Sequence, residues 1–159
     1  MKLSEQGIKL IKSFEGLRLS AYRDVAGVWT IGYGSTRYHD GKPVNPGDKL
    51  ANEQQADALL NNTLGQYEDA VNRYVKSPLT QSQSDALVSF TYNEGTGALK
   101  ESTLLKKLNE KDYPGAADQL LLWDKITDPK TGEKIVCPDL LSRRKQEREL
   151  FLSSIPQSA

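Results

Sequence analysis

Residues that build disulfides or metal sites are scarce in this sequence. Its 159 residues include one cysteine, Cys137, and one histidine, His39. A single cysteine excludes an internal disulfide framework, and we expect Cys137 to be a small buried hydrophobic residue because no cysteine–histidine pair is evident. A metal ion needs several converging ligands. Because none are visible, we expect no metal and no cofactor, and we place His39 in an exposed loop.

The sequence also lacks an excess of either charge and has no long apolar run. The 21 basic and 21 acidic residues give a formal net charge of zero, so the sequence predicts no strong electrostatic steering toward polyanions. The basic run at 143–148 is interleaved with Glu147, which argues against nucleic-acid binding. No apolar run approaches the roughly 20 residues that cross a bilayer, and we expect no signal peptide before the first predicted helix. We therefore expect a soluble globular chain.

Chemistry-bearing residues are concentrated at 14–36, which has the sequence FEGLRLSAYRDVAGVWTIGYGST. The apolar spacing just before this stretch predicts a helix over 4–14, and Gly16 gives that helix a place to stop. Alternating and β-branched residues then predict one strand at 17–21 and a second at 28–33. Local structure alone therefore predicts a helix end that is followed directly by a β-hairpin.

Three polar side chains fall at the ends and the turn of these elements. Glu15 is at the helix end, Asp24 in the hairpin turn and Thr30 on the second strand. Cleaving a glycosidic bond requires a protonated carboxyl group for the leaving oxygen and an ionised carboxylate that activates water or attacks the sugar. Apolar neighbours would favour the protonated form of Glu15. Taken singly, the same residues are also ordinary at a solvated helix end, in a turn and on a strand.

The spacing of these three residues is similar to that of a known family. Eight residues separate Glu15 from Asp24, five separate Asp24 from Thr30, and the sequence TIGYGST begins at the threonine. This pattern resembles the phage-type lysozymes, which are endolysins or muramidases of glycoside hydrolase family 24. The resemblance extends in order through three later segments, which are the residues at 80–97, 102–109 and 142–151.

The resemblance implies an α+β fold of the lysozyme type. We expect a single lysozyme-like domain over 1–159, with a small antiparallel sheet lobe at about 14–60. A larger, mainly helical lobe would comprise 1–13 and 61–159. A long helix over 52–75 would join the lobes, and the active-site cleft would lie between them.

Two loop-rich segments allow more than one interpretation. Turn signals at 37–49 leave room for a short third strand around Val44. The segment at 125–134, KITDPKTGEK, predicts either a hairpin or a loose loop. It is longer than the glycine loop typical of the family that the chain resembles, so its role stays open.

By resemblance, the activity is hydrolysis of the β-1,4 bond between N-acetylmuramic acid and N-acetylglucosamine in peptidoglycan glycan strands. Glu15 is then the general acid, while Asp24 and Thr30 position the attacking water or the sugar. The separation of the carboxyl groups decides between inversion and retention, so the stereochemistry stays open. Two other classes also stay open: a lytic transglycosylase and a non-catalytic peptidoglycan-binding module.

The resemblance also implies a set of substrate-binding residues. The candidates are Gly34, Thr36, Tyr92, Asn93, Thr103 and Gln119. We further expect Arg143 to lie near Glu15, where it would hold the carboxyl group in position. Glu94 stands where relatives usually have an apolar residue, and we expect it to be an exposed charge.

The family's location and release are further expectations. We expect a monomer that accumulates in the host bacterial cytoplasm before lysis and acts on the periplasmic cell wall. Release would depend on a separate holin, and the chain itself would carry no membrane segment. Some relatives of the phage-type lysozymes carry an N-terminal signal-anchor instead.

Overall fold

A computed structural model describes residues 1–24 and 26–153. Helices predominate, and two small antiparallel sheets accompany them. The elements follow the chain in the order α1 (Glu5–Glu15), β1 (Arg18–Arg23), β2 (Trp29–Gly32), α2 (Glu53–Tyr74), α3 (Gln81–Glu94), α4 (Thr96–Glu101), α5 (Thr103–Asn109), α6 (Tyr113–Leu120), β3 (Lys125–Thr127), β4 (Lys134–Val136) and α7 (Pro138–Leu152). The predicted α+β class is confirmed.

The chain forms two compact units. One consists of Ile8–Gln66, and the other combines Met1–Gly7 with the described residues from Tyr67 onward. The boundaries fall inside α1 and α2, so each of these helices contributes to both units. The assignment of 1–159 to one lysozyme-like domain stays a prediction.

The sheet-bearing unit is built on the hairpin of β1 and β2. The strands pair antiparallel, with Tyr22 opposite Thr30 and an irregularity in the register between Arg18 and Tyr22. One face of the unit closes over a small core of Ile31, Val44 and Leu59. The predicted third strand around Val44 is wrong, because this part of the chain makes only isolated β-bridges. The turn residues at 37–49 break the pairing before a strand can extend.

The first helix shows why a carboxyl group ends up beside the hairpin. Ser4 caps α1 by accepting a hydrogen bond from the Gly7 backbone at 3.2 Å. Gly16 ends the helix with a φ of +72°, a left-handed conformation that glycine adopts without steric cost. Glu15 is therefore the last helical residue, as predicted, and two residues connect it to β1.

The helical unit is organised around α3, which packs against α7. Thr80 and Gln83 form a capping box that satisfies the first turn of α3. At the other end, the Gly95 backbone donates to the Thr91 carbonyl at 2.7 Å. The core of this unit is a set of fully buried apolar side chains, which includes Leu87, Phe90, Leu104, Leu108, Leu120 and Phe151.

Two expectations about the C-terminal third are settled by the structure. The segment at 125–134 lies in a true hairpin, in which β3 pairs antiparallel with β4 and Ile126 stands opposite Ile135. Cys137, which was expected to be buried, is only half-buried. It occupies the position before the first residue of α7, and its backbone donates to the Asp124 carbonyl at 2.7 Å. Turn positions of this kind stay close to solvent.

Candidate active site

Glu15 presents its carboxyl group at the C-terminal end of α1. The side chain is half-buried, as is that of the preceding Phe14. Leu17, the next apolar residue along the chain, is 38% exposed. Gly16 separates Glu15 from Leu17, so the carboxyl group lies where the chain leaves α1 and enters the hairpin.

Asp24 is fixed by the hairpin turn. Its Oδ1 accepts hydrogen bonds from the Ala26 and Val28 backbone amides, each at 2.9 Å. The Asp24 amide in turn donates to the Val28 carbonyl at 2.9 Å, which closes the hairpin. An aspartate that bonds its own turn in this way is a common turn former. Here the same bonds also set the direction of the carboxylate.

Thr30 lies on β2 directly opposite Tyr22. Its side chain is 3% exposed, and its hydroxyl donates to the Val28 carbonyl at 2.9 Å. Residues that stand opposite each other in an antiparallel pair share a face of the sheet. Residues two apart on one strand also share a face. The register therefore places Tyr22 and Thr30 on the same side of the hairpin, and Asp24 follows the end of β1 by one residue.

The pKa of Tyr22 indicates that Glu15 also lies near the hairpin. Burial raises the pKa of Tyr22, the negative charges of Glu15 and Asp24 raise it further, and the positive charge of Arg18 opposes them. At physiological salt, screening limits the interaction between exposed charges to a distance of about 8–10 Å. Both predicted catalytic carboxyl groups therefore lie near one phenol. Sequence reasoning missed Tyr22, although its position two residues before Asp24 is a usable signal.

Two of the predicted substrate-binding residues belong to the same unit. Gly34 adopts a φ of +88°, which favours glycine, and it lies half-buried two residues after the end of β2. Thr36 is exposed and lines a shallow depression of about 300 Å³. Trp29 and Arg37 line the same depression. An aromatic ring beside hydroxyl and guanidinium groups is a chemically suitable surface for a saccharide.

The other predicted substrate-binding residues belong to the helical unit. Tyr92 packs edge-to-face against Tyr67, with ring centroids 5.1 Å apart. Asn93 is exposed and accepts a hydrogen bond from Arg144 through its side-chain oxygen. Thr103 is exposed at the start of α5, and Gln119 is half-buried on α6. Their role in binding stays a prediction.

A buried ionic cluster connects α3 to α7. Glu147 is 0% exposed, and it pairs with Arg143 at 3.2 Å and with Arg144 at 3.0 Å. Ser89 donates its hydroxyl to the same carboxylate at 2.6 Å. In the sequence Glu147 was identified only as an acidic residue within a basic run, and its complete burial was not predicted. The spacings of three and four residues place both arginines on the same face of α7 as Glu147, and this face is buried, so the opposite charges compensate one another.

Glu94 belongs to the edge of this cluster. Its carboxylate lies 3.6 Å from the Arg144 guanidinium, and its side chain is 22% exposed. Burial raises the pKa of Glu94, and the charges of Arg144 and Arg143 oppose that effect. The expectation of an exposed charge is therefore wrong. The predicted position of Arg143 beside Glu15 stays a prediction.

Within residues 1–24 and 26–153, no group of three or more histidine, cysteine, aspartate or glutamate side chains is arranged to hold a metal ion. Over the same described residues, none of the helices combines the length and the apolar character that crossing a bilayer requires. His39 is exposed in a loop, as predicted.

Comparison with known proteins decides the family. The family model described as phage lysozyme matches residues 12–147. The chain belongs to the phage lysozyme family. It is 44% identical over 154 residues to an endolysin of Acyrthosiphon pisum secondary endosymbiont phage 1, a match that covers 97% of this chain and 100% of that protein.

Solved structures agree with this family and with the lysozyme-like fold. An endolysin from the Escherichia coli O157:H7 phage FAHEc1 is 42% identical, with a TM-score of 0.89 over 98% of this chain and 96% of that chain. The muramidase domain of SpmX from Asticaccaulis excentricus is 39% identical, with a TM-score of 0.86 over 96% and 98%. The predicted resemblance is confirmed, and this phage lysozyme family member is a glycoside hydrolase of the lysozyme type.

Proposed function

We propose that this phage lysozyme family member hydrolyses the β-1,4 bond between N-acetylmuramic acid and N-acetylglucosamine in peptidoglycan. The observation that supports the proposal is the grouping of two carboxyl side chains and a hydroxyl around one hairpin. Glu15 and Asp24 both act electrostatically on Tyr22, and Tyr22 stands opposite Thr30. Most glycoside hydrolases use a pair of carboxyl groups that flank the scissile bond.

The two carboxyl groups are suited to different roles. Glu15, half-buried at the helix end, would give its proton to the leaving glycosidic oxygen. Asp24 accepts two backbone hydrogen bonds, which fix the direction of its carboxyl group for the opposite role. Thr30 would help to place the attacking water or the sugar, since its hydroxyl is anchored on the Val28 carbonyl.

Replacing Glu15 by glutamine tests this assignment. The change keeps the size and polarity of the side chain but removes the transferable proton, so we expect lysis of chloroform-treated Gram-negative cells to slow by at least roughly 100-fold. Turbidity gives the rate. Glu5→Gln is a matched control, because Glu5 is an exposed residue in the first turn of the same helix. Lysis by Glu15→Gln at the wild-type rate would remove Glu15 from the mechanism.

The substrate contacts and the release route belong to the same proposal. Peptidoglycan glycan strands would be bound by Gly34 and Thr36 in one unit and by Tyr92, Asn93, Thr103 and Gln119 in the other, with Arg143 in support. The protein would act as a monomer on the periplasmic cell wall after a holin releases it from the host cytoplasm. Expression of the chain in Escherichia coli with and without a pore-forming holin tests the release step. Lysis in both cases would contradict holin dependence.

A further inference from the structure

We propose that Arg144 is a positioning residue for substrate binding. It fixes the Asn93 carboxamide so that the nitrogen, and not the oxygen, is available to an acceptor oxygen of the glycan. This inference rests on the proposed function, in which Asn93 is a substrate contact, and it assigns the direction of that contact. It is carried by a hydrogen bond between the two residues, by the burial of the guanidinium group and by the exposure of the amide.

The packing of two helices brings Arg144 and Asn93 together. Arg144 lies on α7 and Asn93 in the last turn of α3, and these helices pack against each other. The Arg144 side chain is 0% exposed, whereas Asn93 is exposed. Arg144 nevertheless reaches Asn93, since its Nη2 donates a hydrogen bond to Asn93 Oδ1. A buried charge therefore holds an exposed polar group at the end of α3.

The chemistry of the guanidinium group decides which way the amide points. A guanidinium group carries five N–H donors and no acceptor, so the Asn93 carboxamide can meet Arg144 only through its oxygen. Turning the amide over would place donors against donors. Among the residues that the structure describes, none accepts a hydrogen bond from the Asn93 amide nitrogen. Its two N–H donors are therefore available to an acceptor oxygen, a group that every sugar of the glycan carries.

Arg144 is itself held by three neighbours. Its Nε lies 3.0 Å from the Glu147 carboxylate, and its Nη1 lies 3.6 Å from the Glu94 carboxylate. Its guanidinium carbon lies 5.1 Å from the Phe90 ring centroid, within the range of a cation–π contact. A group fixed before the ligand arrives has less freedom to lose when the ligand binds. The Asn93 amide gains this advantage through its bond to Arg144.

Asn93→Asp tests the direction of the contact. It keeps the size of the side chain and the oxygen that Arg144 bonds, but it replaces the nitrogen with a second acceptor. Because a hydrogen bond to the glycan is lost, we expect KM for solubilised peptidoglycan to rise about 3- to 10-fold, while kcat stays within about twofold. Initial rates over a concentration series separate the two constants. A wild-type KM for Asn93→Asp would overturn the donor role.

Arg144→Lys tests the positioning role. Lysine keeps a positive charge beside Glu147 but lacks the planar fork that reaches Asn93. We expect KM to rise about 3- to 10-fold, with kcat again within about twofold. Combined with Asn93→Ala, Arg144→Lys should raise KM no further than Asn93→Ala does alone, because both changes remove the same contact. Two KM increases that simply multiply in the double variant would overturn the coupling.

Arg148→Lys is the matched control. Arg148 lies one turn further along α7 and pairs with Asp118 at 2.8 Å, so this change makes the same replacement in another ion pair of the same helix. We expect it to leave both kcat and KM unchanged. An equal rise of KM in Arg148→Lys and Arg144→Lys would overturn the specific role of Arg144.

Nuclear magnetic resonance of the free protein tests the positioning without substrate. The Asn93 side-chain amide is assigned as the pair of signals that Asn93→Asp lacks. Its nitrogen relaxation should show the order of a rigid group in the wild type and in Arg148→Lys, and a mobile group in Arg144→Lys. An Asn93 amide that is as mobile in the wild type as that of Asn61, which is exposed on α2, would overturn the inference even if Arg144→Lys does not fold.

The two proposals fail in different ways. If the wild type releases no muropeptides, the proposed function fails, and the relaxation of the Asn93 amide still shows whether Arg144 holds it. If Glu15→Gln is inactive while Asn93→Asp and Arg144→Lys have wild-type KM values, only the present inference fails.

Discussion

Replacing Glu147 by glutamine should destabilise the helical unit strongly. The carboxylate is completely buried, one oxygen accepts from Ser89 and Arg143, and the other lies 3.0 Å from Arg144. Glutamine has nearly the same shape, so the change leaves no cavity. What is lost is the negative charge, and two guanidinium groups, 6% and 0% exposed, remain in the core.

The size of the effect follows from this burial. Removing one partner of a buried ion pair costs about 3–5 kcal/mol, because the remaining charge has neither water nor a counter-ion. Glu94, 3.6 Å from Arg144, still compensates part of that charge, so we expect a value near the lower end of the range. For a chain of this size, each kcal/mol lowers the thermal midpoint by about 2–4 °C. The midpoint should therefore fall by roughly 6–12 °C.

Circular dichroism during thermal and urea unfolding measures this prediction. Glu149→Gln is the control, since Glu149 is exposed on the same helix and its loss should change stability by less than about 0.5 kcal/mol. High salt should not restore the stability of Glu147→Gln, because buried pairs are poorly screened. A midpoint for Glu147→Gln that matches the control would refute the assignment of the cluster as a buried, mutually neutralising network.

Two further substitutions and a titration test other parts of the structure. A β-carbon on Gly7 would lie 2.7 Å from the Asp85 carboxyl carbon, so Gly7→Ala should lower the free energy of unfolding by about 1–2 kcal/mol. Gly65 has open space around it, so Gly65→Ala should raise the free energy of unfolding by about 0.5–1 kcal/mol. Urea unfolding measures both changes. Burial, followed by hydrogen bonds to carboxylates, raises the pKa of Tyr33 and of Tyr38 to about 12. The unfolded chain then loses these protons first, so stability should fall as the pH rises from about 10 to about 12, and tyrosinate absorbance should show two late ionisations; a flat stability over that range would contradict this.

The helix end and hairpin were predictable because their signals are local. Ser4, Gly16 and Asp24 each act on backbone groups a few residues away, so their types and spacing are sufficient to indicate where α1 ends and where the hairpin turns. Glu15 follows as the last helical residue. Residue types alone did not decide whether Glu15, Asp24 and Thr30 are catalytic or ordinary residues of a helix end, a turn and a strand. The family resemblance supplied the catalytic interpretation.

The buried ionic cluster could not be predicted in the same way. Arg144 meets Asn93 and Glu94 across some 50 residues of sequence, so no local pattern indicates the contact. On a helix, charges at spacings of three and four are typical of a solvated face as well as of a buried network. The prediction of a third strand at Val44 was wrong although its signal was local. Local β propensity was present, but turn-forming neighbours limited the pairing to single bridges.

Analysis of the cleavage products tests the central claim most directly. Purified peptidoglycan digested in heavy-oxygen water should give muropeptides that end in reducing N-acetylmuramic acid and carry one heavy oxygen at that end, because hydrolysis adds water to the cleaved bond. Mass spectrometry after borohydride reduction reads both features. Products that end in an anhydro ring without heavy oxygen, or in reducing N-acetylglucosamine, would contradict a muramidase that works through Glu15 and Asp24.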